Sequence, residues 1–273
     1  MRAHAKLRVE REMTEDGNSR IRMPRLRSEG ALVLRPTREL LPEWADRWEI
    51  DRREVATVRL AAGAAGPLGG DHWRLEVEVA EGATLLLSAV AAVVSLPGAH
   101  GEQSWSEAHL SVARGATLIW LPGAQIAATG CSQVAFNQID LQQGARLYAR
   151  EEIVLGRHGE QPGNFSQRLR VTQDGKALYD QELAVGPESL GWNSAAVTGG
   201  RRALGSIIIV DTVAGNLDCL SESVSSAYPD TAIMRLAENA ALISSLAADT
   251  IELRARLDAA FSPFGRTAKV SEG

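Results

Sequence analysis

Nothing limits the fold of this 273-residue chain more than a unit of strand, Gly-Ala pair and strand that occurs three times in its middle. The copies are LEVEVAEGATLLLSA at residues 75–89, HLSVARGATLIWLP at 109–122 and NQIDLQQGARLYARE at 137–151. Their glycines fall at 82, 115 and 144, so successive units are 33 and 29 residues apart. Each glycine can take the positive φ that a tight reversal demands, and each alanine leaves room for the next layer to approach. A fourth reversal, without the alanine, is expected at Asp174-Gly175 in LRVTQDGKALYD. One such unit cannot bury its own apolar face, whereas a stack buries a continuous seam between layers. The expected fold is mainly β: stacked hairpins in a β-helix-like body that offers long flat faces and no closed ligand cup.

The flanks are read from periodicity. Apolar and charged residues alternate at Leu7, Arg8, Val9 and Glu10 and again at Arg20, Ile21, Arg22 and Met23, which predicts a hairpin turning at Asp16-Gly17 with one wet face. RSEGALVLRPT, residues 27–37, adds a short strand stopped by Pro36. In the charged stretch 38–53, Trp44 and Trp48 are spaced for one helical face, and a strand-linking loop fits equally. After Gly186-Pro187 the pattern changes. Residues 1–186 read as the repeated body, and 187–273 as a C-terminal α/β layer carrying about two helices, packed on the body within one continuous domain. There, IIIV at 207–210 and TAIMRLA from Thr231 read as strands, and residues 216–227 as a short helix ended by Tyr228-Pro229. Ile243, Leu246, Leu253, Leu257 and Phe261 keep helical spacing and predict an amphipathic helix over 238–261, with a frayed tail from Ser262.

Charge and cysteine usage remove several function classes. A net charge of -5 with 23% charged residues leaves no basic stripe of the kind a duplex-binding surface shows, so nucleic acid is not an expected partner. The basic start, MRAHAKLRVERE, lacks the apolar core of a signal peptide, and no apolar run approaches the ~20 residues of a membrane span, so a cytosolic location without membrane is expected. Cys131 and Cys219, 88 positions apart, form no metal doublet or disulfide framework and read as small apolar residues. The histidines His4, His72, His100, His109 and His158 form no ligand doublet either, so no permanent, closed metal site is expected. Asp71-His72 after Gly69-Gly70 can present a carboxylate and an imidazole together, although an aspartate before a strand also serves backbone bonding. The loop GRHGEQPG at 156–163 holds Arg157, His158 and Glu160 between glycines, as a catalytic loop or any solvated reversal does. No Ser or Cys nucleophile motif accompanies it. GAAGPLGGD at 63–71 lacks the Lys-Ser/Thr of a phosphate loop.

With these segments in hand, the chain resembles a known family. RSEGALVLRPT, AAGPLGGDHWRLEVEVAEGA from Ala64, GATLIWLP from Gly115 and ARLYAREEIVLGRHGE from Ala145 look like successive signatures of the UreD family of urease accessory proteins, also called UreH. GGRRALGSIIIVD from Gly199 fits it more loosely, and the match runs in order over residues 5–212. Ala31 replaces a frequent proline, and VAAVVSLPGAHGEQSW stands where the family often shows a polar and basic stretch. The resemblance implies a β-helix-like protein that is not an enzyme and binds apo-urease with UreF and the GTPase UreG, a homodimer of that heterocomplex being left open. It also implies nickel in transit through an internal polar passage, with no permanently bound cofactor. A relay must accept the ion and then release it, which scattered carboxylates suit better than a Cys/His cage. Carried over by motif, Asp71 and Glu151 are the carboxylates expected to face the passage, with Arg157 as companion charge, while Glu152 is expected outward or edge-exposed. Two other readings stand beside this one: a β-helical hydrolase or lyase with His158 and Glu160 as acid and base, and a structural β-repeat protein with no metal role.

Overall fold

The fold is described from a computed structural model covering residues 1–15, 19–212, 217–220 and 228–265. Strands come first and nearly throughout: β1 (Arg2–Met13), β2 (Ser19–Glu29), β3 (Leu32–Pro36), β4 (Ala56–Ala62), β5 (His72–Val79), β6 (Thr84–Ala89), β7 (Val93–Ser95), β8 (Ser104–Val112) and β9 (Thr117–Leu121). They continue with β10 (Ala124–Ala127), β11 (Ser132–Leu141), β12 (Arg146–Leu155), β13 (Asn164–Gln173), β14 (Lys176–Val185), β15 (Ala203–Val210), β16 (Thr231–Ala237) and β17 (Ala240–Ala247). Among the described residues one α-helix, α1 (Thr250–Gly265), follows. The protein is mainly β, with a β-solenoid-like body and a C-terminal helix.

The repeat spacing sets the register of that body. Glu76 on β5 pairs with His109 on β8, and His109 with Gln138 on β11, the same offsets of 33 and 29 that separate the glycines. The second arms follow suit, Thr84 on β6 pairing with Thr117 on β9 and Thr117 with Arg146 on β12. All these pairings are parallel, which changes the expected picture in one respect. The two arms of a Gly-Ala unit do not pair with each other as a hairpin; each joins the matching arm of the next unit. The Gly-Ala turn carries the chain from one sheet to the other, so the apolar sides of both arms can face each other across the gap. True antiparallel hairpins occur at β1–β2 and at β13–β14, which turns at Asp174-Gly175; the Asp16-Gly17 turn lies outside the described residues.

At the turns, Gly82, Gly115 and Gly144 have φ of +65°, +64° and +73°. Ala83, Ala116 and Ala145 are fully buried, and each donates its N–H three residues back, over 3.0–3.1 Å. The turns also bond to one another, Gly82 N donating to Arg114 O at 3.2 Å. Because an L side chain is strained at these angles, Gly115→Val or Gly144→Val should each lower unfolding stability by about 1–3 kcal/mol. Urea titration of each variant checks this, and unchanged midpoints would remove the strain argument.

Between the sheets, Leu75, Val77, Leu110 and Ile139 meet Leu85, Leu87, Leu118 and Leu147. Each such side chain contributes about 1.5–3 kcal/mol by leaving water. The outer face of the second sheet carries a separate core, in which Ile119, Tyr148, Ile207 and Ile209 lie under α1 and a short 3-10 turn at Glu43–Trp48. That turn settles the two readings of Trp44 and Trp48: both rings enter this core, Trp44 at 4.3 Å from Tyr148 and Trp48 donating Nε1 to Asp211 at 3.0 Å. β15 pairs with β12 from Leu147↔Val210 to Val154↔Ala203, so the residues beyond 186 extend the same sheet.

The C-terminal layer departs from expectation. The helix predicted over 238–261 is half strand: Ala240–Ala247 forms β17, held residue for residue against β15, and the helix begins only at Thr250. Pairing with an open sheet edge outweighs the ambiguous spacing of AALISSLA. The helix start is marked by a capping box of the Asp249 and Glu252 side chains: Asp249 Oδ1 accepts from Glu252 N, and Glu252 Oε2 accepts from Ala248 N, both at 2.8 Å. The tail expected to fray from Ser262 is helical as far as Gly265, with Phe264 fully buried and the Arg47 guanidinium 4.7 Å from its ring centre, and residues 266–273 lie outside the described residues. Of the helix predicted over 216–227, only 217–220 lies within the described residues, and Asp218–Leu220 there is a 3-10 turn.

Candidate functional site

Strand alternation decides the two sides of β12. Arg150 and Glu152 point outward beneath α1, where Arg150 Nε is 2.9 Å from Glu152 Oε1, Arg254 Nη2 is 2.9 Å from Glu152 Oε2, and Arg150 Nη1 is 2.6 Å from Asp258 Oδ1. Glu152 is thus outward, as expected, yet buried by the helix and its arginines and not edge-exposed. Glu151 points the other way, into the gap between the sheets. Asn137 on β11 and Gln167 on β13, both on the facing sheet, donate to it: Asn137 Nδ2 to Oε1 at 2.6 Å, and Gln167 Nε2 to Oε2.

This carboxyl is fully enclosed. Burial pushes its pKa up to about 7, the bonds from Asn137 and Gln167 offsetting part of that rise. Two cavities lie beside it and share Gln167 in their walls. One, of about 250 Å³, runs among Leu32, Leu60, Trp73 and Val93 to Asn137 and Gln167. The other, of about 280 Å³, is lined by Glu151, Gln167, Tyr179, Ser206, Ser244 and Ser245. Burial, then the nearby Glu151 charge, pushes the Tyr179 hydroxyl up to about 12, so it stays protonated near neutrality. On this wall one buried carboxylate, amides and hydroxyls stand among Ile153, Leu169, Leu183 and Leu204, a set of oxygen donors that can hold a cation briefly without caging it.

The other two residues named from sequence lie elsewhere. Asp71 is buried, its Oδ1 2.6 Å from the Met1 amine and its Oδ2 accepting from Leu68 N at 3.0 Å, so it closes the turn before β5. It is close to Trp73, which lines the first cavity: a side chain at Gly66 would meet both Trp73 and Asp71 Oδ2. Arg157 companions neither carboxylate. It grips Glu160, with Nη2–Oε1 at 2.6 Å and Nε–Oε2 at 2.9 Å. Asp71, Glu151 and Arg157 are therefore not brought together, and among the described residues no three His, Cys, Asp or Glu converge to hold a metal.

The same ion pair bears on the hydrolytic reading. Arg157 pulls the Glu160 carboxyl down to about 2, which leaves it too weak a base to take a proton at neutral pH. His158 stands exposed on the loop surface. Sequence reasoning did not single out Asn137, Gln167 or Tyr179. Alternation along NQIDL and NFSQRL marks Asn137 and Gln167 as inward polar residues, a detectable signal, but what they face is set by the opposite sheet.

Comparison with known proteins agrees with the motifs. A family model described as UreD urease accessory protein matches residues 1–269. A urease accessory protein UreD of Streptomyces avermitilis is 40% identical over 92% of this chain and 94% of its own length. One from Streptomyces griseus, UreD 3, is 37% identical over 95% of both chains, and one from Frankia casuarinae is 35% identical over 96% of this chain and 89% of its own. These are names of accessory proteins and not of a catalytic enzyme. No helix among the described residues is long and apolar enough to cross a membrane. The ordered motifs, the solenoid register and these whole-length matches lead to one statement: the chain belongs to the UreD family of urease accessory proteins.

Proposed function

We propose that this accessory protein acts in the cytosol, holding apo-urease together with UreF and the GTPase UreG while nickel passes through its interior to the urease active site. Nickel is cargo in this reading, not a resident cofactor. The observation that carries it is the Glu151 carboxyl, buried between the sheets on the wall of the second cavity and bonded to Gln167, which lines both. Burying a carboxylate costs several kcal/mol unless it is solvated, paired or metal-bound. No arginine, lysine or histidine is among the groups that shift its pKa; those are the Asn137 and Gln167 amides and the Trp120 indole, and its cavity wall mixes serines, Tyr179 and glutamines with leucines and Ile153. Such a group is poorly explained by stability and well suited to a brief stop for a divalent ion. Asp71, close to Trp73 on the wall of the first cavity, is the second carboxylate proposed for the route.

Glu151→Ala and Asp71→Ala should leave assembly with urease intact while lowering its activation at limiting nickel. The test pairs pull-down of the complex with the nickel content and activity of urease matured by each variant. Normal activation by the double variant would defeat the conduit and favour a scaffold with no metal role. Loss of the complex itself would reassign both residues to folding or docking.

A further inference from the structure

Gln167 is the polar residue of β13 that lines both cavities beside Glu151. Its side chain is 6% exposed, and its Nε2 donates to Glu151 Oε2. Its other polar atom, Oε1, is buried and has no hydrogen-bond partner. The orientation of the amide follows from its neighbour, because an ionised carboxylate can only accept and so requires the nitrogen side. The same requirement leaves the carbonyl oxygen enclosed and unsatisfied, an arrangement that folded proteins avoid unless a ligand or a function uses it. Turning the amide over would set Oε1 against a carboxylate oxygen. Two acceptors face to face repel, unless a proton or a metal cation lies between them.

We propose that Gln167 is the gate between the two cavities, and that a divalent cation arriving at Glu151 turns its amide so that Oε1 joins the carboxylate as a ligand. This rests on the reading of Glu151 as the passage carboxylate. Before the ion arrives, the Gln167 side chain spans the junction and is tied to Glu151. Once the ion is present, the tie is replaced by two oxygen ligands on the metal, so the ion itself opens the contact that had closed the junction. Asn137, bonded to Oε1 of Glu151 from the same facing sheet, keeps the carboxylate in place while the amide turns. Carboxylate and amide oxygens hold a late first-row divalent ion less firmly than thiolate or imidazole, so the stop can be short.

Two measurements on the full-length chain in its complex test this. In the first, ¹⁵N-labelled protein is titrated with Zn²⁺, a diamagnetic divalent ion, and the side-chain amide signals of Gln167 are followed. They should shift on addition of the ion, and the shift should vanish in Glu151→Gln. An amide that does not respond overturns the proposal. In the second, nickel loading of urease is timed. Gln167→Leu, of similar size but without polar atoms, should slow loading about ten-fold with assembly unchanged, the scale expected for loss of a group that tunes a metal. Gln167→Glu, which restores an oxygen ligand, should recover much of the rate. Wild-type loading by Gln167→Leu beside an impaired Glu151→Gln overturns the gate and leaves the carboxylate's role standing. Wild-type loading by both overturns gate and passage together. Should Gln167→Leu fail to accumulate, Gln167→Ile, also of similar size and without polar atoms, takes its place with the same expected slowing.

Discussion

Gly186→Ala should unfold at a much lower urea concentration than the wild-type chain, with a loss of about 3–5 kcal/mol, because two penalties fall on one methyl group. The backbone there has φ of +110°, where an L residue is strained. A β-carbon would also run into Gly163 O and come within 2.8 Å of Asn164 Cα, and neither is a flexible side-chain end that can move aside. This close approach is where the chain leaves β14 against the start of β13. Gly175→Ala isolates the first penalty: its φ is +76°, a β-carbon there meets nothing within 4 Å, and the loss should be about 1 kcal/mol. Equal losses at the two sites would show that the packing contact at Gly186 is not decisive.

The second large effect has the opposite sign. Glu151→Gln should stabilise the folded chain by about 3 kcal/mol at pH 8 and by almost nothing at pH 4. The carboxyl titrates at about 7 when folded, against the 4.5 usual for a glutamate in water. Between those values the folded chain retains a proton that the unfolded chain has released. Stability therefore falls as pH rises from 4.5 to 7, and above 7 the whole cost of the buried charge is present. The glutamine variant carries no such charge, and Tyr179 beside it does not titrate in this window. Urea unfolding of both proteins between pH 4 and pH 8 measures the difference. A constant gap across that range would sink the assignment of Glu151 as a buried ionisable group. A protein that retains such a cost at neutral pH keeps the carboxylate for some purpose other than stability, which accords with the proposed passage.

Much of the body was legible because it repeats. Glycines at 82, 115 and 144 announced both the turns and the strand register, since parallel layers align equivalent residues and the offsets of 33 and 29 return in the pairing. The C-terminal layer was less legible. AALISSLA satisfies helical and strand spacing alike, and only the open edge of β15 decides between them. The capping box at Asp249 and Glu252 was a local signal in the sequence that fixes where the helix begins.

The candidate site divides in the same way. Sequence alone determined that the chain is a β-stack, that Glu151 lies on a repeat arm, and that its motifs are those of the UreD family. It also determined that Glu151 and Glu152 must face opposite sides of their strand, because side chains alternate. Only the tertiary structure decided which side is the interior, that Glu152 is covered by α1, that Arg157 serves Glu160, and that Asn137 and Gln167 hold Glu151 from the facing sheet. The reason is physical. Periodicity and turn chemistry are properties of neighbouring residues, whereas the environment of a buried charge is set by side chains that the turns deliver from another sheet.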